Sequence, residues 1–239
     1  MSFAELDLDF TIEQAIMDMG FETPTPIQEQ AIPIALDGSD LLATAPTGTG
    51  KTIAFCAPAI QHILDRDEQS TTAPKVMILA PSRELARQIY NVVVELTAHT
   101  RIESQLIIGG IPYGMQQQQL SENCDILVAT PGRLVELDEK QWLDLSDVSY
   151  FVIDEADRML DMGFIADINK IVEKLPRERQ NLLFSATLSA QVRVLAKTAV
   201  TDAVEIMVAP ENVTAPDISQ YLITVDKEFK SALLSHLIH

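Results

Sequence analysis

The sequence has few cysteines, few positive charges and no long apolar run. Cys56 and Cys124 are far apart in apolar surroundings, which favours buried free thiols in a reducing compartment over a disulfide or a metal site. No apolar run reaches the roughly 18 residues that a membrane-spanning helix needs. The N-terminus, MSFAELDLDF, has no basic segment followed by an apolar stretch, so it does not resemble a secretory signal. We therefore expect a cytoplasmic protein without a membrane partner.

Positive charge is scarce, because 17 Lys and Arg residues stand against 35 Asp and Glu residues, giving a formal net charge of −18. Proteins that hold nucleic acid by bulk electrostatics are usually basic, so that class of binder is disfavoured. Any nucleic-acid contact must depend on backbone amides and a few placed cations, or on a part of the protein outside this chain. A hydrophobic fraction of 47% nevertheless indicates a sizeable folded core.

Apolar, β-branched runs alternate with helical patterns, and this order predicts a doubly wound parallel sheet. Runs such as VMILA, DILVA and YFVID are continuously apolar, which suits strands buried on both faces. Ligands of such sheets bind at the carboxyl ends of the strands. The predicted strands are Leu41–Thr44, Lys75–Ala80, Gln105–Gly109, Asp125–Ala129, Ser149–Asp154, Asn181–Ser185 and Ala203–Val208, and the predicted helices include Arg83–Thr97 and Phe164–Leu175.

Three regions are predicted along the chain. Residues 1–38 form a helical segment, in which Thr11 looks like a helix N-cap with Gln14 at the capping-box position and Gly20 ends the helix. Residues 39–209 form the α/β core. Residues 210–239 start with the linker-like ENVTAPDISQ, and KSALLSHLIH then begins an amphipathic helix without a C-cap. We therefore expect the chain to continue into a further domain.

The glycine-rich loop APTGTGKT follows the strand DLLAT and opens an apolar helical stretch, which is the context of a phosphate-binding P-loop. Gly48 and Gly50 let backbone amides converge on phosphate oxygens at a helix N-terminus. Lys51 can reach the β- and γ-phosphates, and the Thr52 hydroxyl can ligate Mg²⁺. An ordinary glycine-rich turn is the alternative. The residues predicted to bind the nucleotide here are Ala45, Pro46, Thr47, Gly48, Thr49, Gly50, Lys51 and Thr52.

The run YFVIDEAD places Asp154 and Glu155 at the carboxyl end of a buried strand. Adjacent carboxylates there would repel each other unless a cation or a water network occupied the site. Asp154 can hold Mg²⁺ through water, and Glu155 can orient and deprotonate the attacking water. A solvated helix start, favoured by the helix dipole, is the alternative. The P-loop upstream makes a P-loop enzyme the better interpretation.

Further motifs point to one family. Over essentially its whole length, the chain resembles the first RecA-like domain of DEAD-box RNA helicases, and bacterial members most of all. The acidic run reads Asp-Glu-Ala-Asp, as the family name does. The other segments similar to the family's motifs, in the family's order, are GFETPTPIQ (Gly20–Gln28, the adenine-reading Q motif), PSRELA (Pro81–Ala86), Gly109-Gly110, TPGR (Thr130–Arg133) and Ser185-Ala186-Thr187.

The resemblance implies a three-layer RecA-like α/β fold, with a mostly parallel sheet flanked by helices, in an ATP-dependent RNA helicase that uses ATP and Mg²⁺. It implies that Phe21 stacks on adenine, that Gln28 reads the adenine edge and that Thr23 adds a backbone contact. Phe3 corresponds to an aromatic residue that supports this site. Core packing is the alternative for Phe21 and Phe3.

The resemblance also assigns an RNA surface and a coupling element. Ser185 and Thr187 would hydrogen-bond towards the acidic run and link nucleotide state to RNA strain, although a plain helix N-cap is the alternative. Asp157, the last residue of the run, is assigned to the catalytic residues with them. Contacts limited to the RNA backbone would reconcile sequence-independent binding with an acidic protein. The implied RNA-contacting residues are Pro81, Arg83, Gly110, Thr130 and Arg133.

Departures from the family pattern limit what the chain should do alone. Pro46 and Ser82 replace the commoner Gln and Thr of their motifs. The second RecA-like domain, an expected partner with its arginine fingers, does not appear before His239, and KSALLSHLIH resembles its opening. Without a transition-state arginine, hydrolysis should fall by about 10³-fold or more, so we expect the chain alone to be nearly inactive. We also expect it to bind nucleotide and RNA weakly. The rival interpretations are another P-loop enzyme, such as a metabolic kinase or a DNA-directed helicase, and a nucleotide-gated scaffold without turnover.

Overall fold

The computed structural model describes residues 2–66, 70–208 and 223–238, and the chain divides into two compact units, Met1–Ala209 and Pro210–His239. The strands of the first unit are β1 (Leu41–Thr44), β2 (Val76–Leu79), β3 (Ser104–Ile107), β4 (Ile126–Ala129), β5 (Tyr150–Ile153), β6 (Gln180–Ser185) and β7 (Val204–Met207). Its helices are α1 (Phe10–Asp18), α2 (Pro26–Leu36), α3 (Lys51–Leu64), α4 (Arg83–Leu96), α5 (Tyr113–Gln119), α6 (Pro131–Glu139), α7 (Ala156–Asp161), α8 (Ile165–Lys174) and α9 (Ala190–Ala199), preceded by a short 3₁₀ helix, Phe3–Glu5.

The strands form one parallel sheet in the order β3-β4-β2-β5-β6-β1-β7. Successive residues of a strand face opposite sides of the sheet, and both sides of the inner strands are buried. Ile78 of β2 belongs to the apolar cluster that includes α1 to α4, whereas Met77 belongs to the cluster that includes α6 to α9. The continuous apolar runs are thus explained, and the predicted three-layer RecA-like α/β fold is confirmed.

The N-terminal boundary of α1 differs from the prediction. Asp9, not Thr11, is the N-cap residue, and its side chain accepts a hydrogen bond of 2.8 Å from the Thr11 backbone N–H. A carboxylate two residues upstream is an equally good cap acceptor, so Thr11 becomes part of the first helical turn and Gln14 has no capping role. At the other end, Gly20 follows the C-cap residue Met19. The strand boundaries agree with the predicted ones to within two residues.

Both cysteines are free and buried, as expected. Burial raises the pKa of the Cys124 thiol to about 12 and raises that of the Cys56 thiol well above its ordinary value. These thiols are therefore protonated packing groups. Within the described ranges, none of the helices is long and apolar enough to cross a membrane.

The second unit contains a short 3₁₀ helix, Lys227–Phe229, followed by α10 (Lys230–Ile238). The helix predicted in KSALLSHLIH is therefore present. The predicted linker ENVTAPDISQ lies outside the described residues.

Candidate functional site

Apart from the Q-motif residues, which precede β1, the predicted site residues lie at or after the carboxyl ends of strands, and the strand order sorts them into two neighbouring groups. The P-loop follows β1, the acidic run follows β5 and Ser185 ends β6, and these three strands are adjacent. Pro81 and Arg83 follow β2, Gly110 follows β3 and Thr130 follows β4, which are also adjacent. One half of the sheet edge thus holds the predicted nucleotide residues and the other half the predicted RNA residues.

The P-loop is a tight connection between β1 and α3. Ala45 continues the strand pairing, because its N–H donates to the Ser185 carbonyl at 3.0 Å. The chain then turns, and Gly50 has a φ of +89° immediately before α3 begins at Lys51. That left-handed conformation is accessible to glycine without steric cost. The first amides of α3 are thereby presented at the sheet edge, where a phosphate can bind.

Lys51 is buried, and its side chain folds back towards the start of the P-loop. Its side chain is 6% exposed, and Nζ donates to the Ala45 carbonyl at 3.0 Å. The positive charge lies close enough to Asp154 to oppose the effect of burial on that carboxylate. The ammonium group is therefore held at the base of the loop, where it can exchange the carbonyl for a phosphate oxygen.

The Q-motif segment is tied to the P-loop by side-chain hydrogen bonds. Gln28 is 3% exposed, and its Nε2 donates to the Gly50 carbonyl at 3.0 Å while its Oε1 accepts from the Thr25 N–H at 2.9 Å. The Thr25 hydroxyl donates to the Thr49 carbonyl at 2.8 Å. Thr25 was not among the predicted site residues. The T-P-I-Q capping-box pattern at the start of α2 could have revealed it.

The two aromatic residues assigned to the adenine site have different surroundings. Phe21 is 45% exposed, so core packing does not account for it. Its ring is available to a flat ligand, as stacking requires. Phe3 is buried in the apolar cluster with α1 to α4, where core packing does account for it. Thr23 is exposed beside Phe21 in the same loop.

Asp154 is fully enclosed at the end of β5, and burial raises its pKa to about 7 despite the opposing charge of Lys51. Its Oδ1 accepts a hydrogen bond of 2.9 Å from the Glu155 N–H. Glu155 has a φ of +52°, in the left-handed region that non-glycine residues adopt rarely. Its carboxylate forms an ion pair of 3.1 Å with Arg158 Nη1. Two carboxylates with different environments therefore lie side by side.

Asp157 connects the acidic run to the end of β6. Its Oδ2 accepts hydrogen bonds from both the N–H and the hydroxyl of Thr187 at 2.9 Å, and its own N–H donates to Ser185 Oγ at 3.3 Å. Partial burial acts to raise the pKa of Asp157, but the hydrogen bonds from Thr187 and Ser185 outweigh it and the pKa lies below its ordinary value. The plain N-cap alternative for Ser185 and Thr187 is wrong, because Ser189 caps α9.

The predicted RNA residues border a shallow cleft of about 350 Å³ between the ends of β2 and β4. Pro81, Arg83, Thr130 and Arg133 line it together with Gly109. Gly110 lies under the Arg83 guanidinium, since a Cβ built on Gly110 would be 2.6 Å from Arg83 Nη1. The structure therefore brings all the predicted RNA residues together.

Arg133 differs from Arg83 in exposure. Arg83 is exposed, whereas the side chain of Arg133 is 9% exposed and lies 3.0 Å from a Glu136 carboxylate oxygen. Arg133 Nη1 also donates to the Ile111 carbonyl at 2.8 Å and to Gln116 Oε1 at 2.5 Å. Its guanidinium is thus largely committed to contacts within the protein.

The donors predicted for Mg²⁺ are the Thr52 hydroxyl and the buried Asp154 carboxylate. Among the described residues, no group of three or more His, Cys, Asp or Glu side chains could hold a metal ion. Most ligands of Mg²⁺ at this site would therefore be water and phosphate oxygens, as this ion prefers. The raised pKa of Asp154 fits such an ion, because a divalent cation offsets the charge that burial disfavours.

A P-loop after β1 and an acidic run after β5, two strand ends separated only by β6 in a parallel sheet, define the chain as a RecA-like P-loop domain. The family described as DEAD/DEAH box helicase matches residues 25–195. The chain therefore belongs to the DEAD/DEAH box helicase family.

Several curated proteins are similar over nearly the whole chain. The "ATP-dependent RNA helicase SrmB" of Escherichia coli (strain K12) is 44% identical over 239 residues, which cover 99% of this chain and 54% of that protein. The "Probable ATP-dependent RNA helicase ddx27" of Dictyostelium discoideum is 42% identical over 99% of this chain and 29% of its own length. The "ATP-dependent RNA helicase RhlB" of Shewanella oneidensis is 38% identical over 99% of this chain and 55% of its own length. The chain thus spans about half the length of the bacterial relatives that it matches.

Proposed function

We propose that this chain is the ATP-binding half of a DEAD-box RNA helicase, which couples ATP binding and hydrolysis to local RNA duplex unwinding and RNA–protein remodelling. The observation that carries this proposal is the grouping of the residues along one sheet edge, with those predicted to bind nucleotide in one half and those predicted to bind RNA in the other. The halves meet where the Asp154 N–H donates to the Leu79 carbonyl at 3.0 Å, two residues before Pro81. The names of the similar proteins point to the same activity.

The nucleotide half would work through positioned charges. Lys51 and the P-loop amides would hold the phosphates, while Thr52 and Asp154 would hold Mg²⁺. The ion supplies charge neutralisation to the phosphates. Glu155 would orient the attacking water and take its proton, and to do so its carboxylate must exchange the ion pair with Arg158 for the water. Asp157, held by Ser185 and Thr187, would relay changes at the acidic run to the neighbouring strand end.

The RNA half would contact the sugar-phosphate backbone without reading sequence. Gly110 would offer its backbone N–H, Thr130 its hydroxyl and Arg83 its exposed guanidinium to phosphates, whereas Pro81, which has no N–H, would offer its carbonyl to a ribose hydroxyl. With so few positive charges at the RNA surface, the affinity for RNA should be low, because few counterions are released on binding. Arg133 is included in the proposed RNA surface through its position at the cleft.

The remaining assignments complete the proposal. Residues 1–38 would be the Q-motif segment, residues 39–209 the first RecA-like domain, and residues 210–239 the passage to a second RecA-like domain in a longer, cytoplasmic protein. That second domain would supply the transition-state arginines. The coverage of the bacterial relatives, about half of their length, supports this division.

Nucleotide preference tests the adenine assignment. We expect the chain to bind ATP more tightly than GTP, and Gln28→Ala to lose the preference, because the amide that could pair with adenine is removed. The loss should be about tenfold, the value of one or two hydrogen bonds. Gln30→Ala is the matched control, since Gln30 is an exposed residue of the same helix. Calorimetric titration with both nucleotides measures the effect, and equal affinity of the unaltered chain for ATP and GTP would contradict the assignment.

Steady-state ATP hydrolysis tests the proposal that a second domain supplies the transition-state arginines. We expect slow ATP turnover by the 239-residue chain, with little stimulation by RNA, because the arginines would come from a second domain. Robust RNA-stimulated turnover by this chain would show that no second domain is needed.

A further inference from the structure

We propose that Gln116, the first residue of the Gln116–Gln119 run, is a positioning residue that holds two segments bordering the cleft in one arrangement. The segments are the Gly109-Gly110 turn after β3 and the start of α6 at Thr130–Arg133, which follows β4. The inference rests on the proposed function, because the geometry that Gln116 fixes is that of the proposed RNA surface.

The amide of Gln116 joins the two segments directly. The residue is completely buried in α5, where its Nε2 donates to the Ile108 carbonyl at 3.0 Å and its Oε1 accepts from Arg133 Nη1 at 2.5 Å. A buried amide is stable only when its donor and acceptor are both paired. Because one partner precedes the glycine turn and the other lies in the first turn of α6, neither segment can shift without breaking a buried hydrogen bond.

Side-chain hydrogen bonds fix the backbone on both sides of the Gly109-Gly110 turn. The carbonyl before it, at Ile108, is bound by Gln116, and the carbonyl after it, at Ile111, accepts from Arg133 Nη1 at 2.8 Å. Between them Gly110 has a φ of +86°. A turn with this conformation has many alternatives when it contains two glycines, and the two anchored carbonyls select one of them.

Arg133 is in turn fixed by its own neighbours. Its guanidinium lies 3.0 Å from Glu136 Oε2 and 4.5 Å from the centre of the Tyr113 ring. The Tyr113 hydroxyl donates to the same Glu136 oxygen at 2.9 Å. A planar guanidinium held on its edge and on its face has a defined direction. Gln116 therefore connects the glycine turn to a rigid group and not to a mobile side chain.

The chemistry of glutamine is required at this position. Methionine has a similar volume, but it would leave the Ile108 carbonyl and an Arg133 N–H buried without partners. Asparagine keeps the amide but is one methylene shorter, so it cannot span both partners. The neighbouring Gln117 and Gln118 are exposed on the same helix, and they provide controls of identical chemistry.

The test compares Gln116→Met and Gln116→Asn with the control Gln117→Met in the whole chain. Anisotropy of a fluorescent single-stranded oligouridylate, at one fixed salt concentration, gives the dissociation constant for RNA. We expect both Gln116 variants to weaken RNA binding by about tenfold, which equals about 1.4 kcal/mol. Titration with ADP should give unchanged affinity, and Gln117→Met should behave as the unaltered chain.

A spectroscopic readout separates positioning from general stability. In ¹⁵N-labelled protein, we expect RNA to shift the Gly110 amide resonance in the unaltered chain but not in the Gln116 variants, while ADP still shifts the Gly50 amide in all of them. If the folded variants bind RNA as tightly as the unaltered chain and keep the Gly110 response, the inference is overturned. If the unaltered chain binds no RNA at all, the proposed function itself fails. Should Gln116→Met not fold, Gln116→Asn decides.

Discussion

Replacement of Gly50 by alanine tests the contact between the Q-motif segment and the P-loop. A Cβ built on Gly50 lies 2.5 Å from Gln28 Nε2 and 3.1 Å from Thr25 Oγ1, so the Gln28 amide must move. Gly48 offers a matched comparison in the same loop. Its φ of +80° is similar to the +89° of Gly50, but nothing lies within 4 Å of a Cβ built there.

Both substitutions introduce backbone strain, but only Gly50→Ala also breaks side-chain hydrogen bonds. Alanine in the left-handed region costs about 1–2 kcal/mol at either position. At Gly50, displacement of the amide also breaks hydrogen bonds of 3.0 Å to the Gly50 carbonyl and 2.9 Å from the Thr25 N–H. At about 1 kcal/mol each, these bonds make Gly50→Ala less stable than Gly48→Ala by about 1–2 kcal/mol. For a protein of this size the difference corresponds to about 2–8 °C in Tm.

Urea unfolding of the nucleotide-free protein, followed by circular dichroism, measures both variants alone and combined with Gln28→Ala. Without the Gln28 side chain only the 3.1 Å contact with Thr25 Oγ1 remains, and the two glycine substitutions should cost the same to within about 0.5 kcal/mol. A gap between Gly50→Ala and Gly48→Ala that persists at full size in the Gln28→Ala background would refute this account of the contact. Equal stability of the two single variants would do so as well.

Three further predictions concern other parts of the first unit. Ser189→Ala removes the N-cap of α9 and should lower the free energy of unfolding by about 1 kcal/mol, seen as a lower urea midpoint, without changing ADP affinity. Thr187→Val loses the hydroxyl bond to Asp157 and should destabilise by about 1 kcal/mol, whereas Thr187→Ser keeps the bond; a similar loss for both in thermal unfolding would argue against it. Cys56 and Cys124 should resist a thiol reagent at pH 8 in the folded chain and react after denaturation, so fast reaction of the native protein would contradict their burial.

The inner strands β1, β2, β4 and β5 were predictable from the sequence because each is a largely apolar run buried on both faces. Leu41–Thr44 coincides with the observed strand, and the P-loop and acidic run follow their strands as expected. The N-cap of α1 was not predictable with the same accuracy. Asp9 and Thr11 are both good cap residues two positions apart, and local sequence does not decide between them.

Contacts between residues far apart in the chain could not be predicted from the sequence. The order of the strands, and hence the separation of nucleotide and RNA residues along the edge, depends on how the crossovers pack. One bond of Arg133 depends on Gln116, which lies 17 positions away in a run of four glutamines that the sequence alone does not distinguish. The capping-box pattern marks Thr25, but its bond to Thr49 on the P-loop, 24 positions away, was not predictable.

The strand order also fixes the distance between the P-loop and the cleft beside Pro81. The P-loop strand β1 and the strand β2 that leads to Pro81 are separated by β6 and β5, so they are three interstrand steps apart, or about 14 Å. A sheet buried on both faces keeps that spacing. A bivalent inhibitor that joins an adenosine phosphate mimic to a group for the neighbouring cleft would therefore need a spacer of about this reach, and shorter or much longer spacers should lose the gain from linkage.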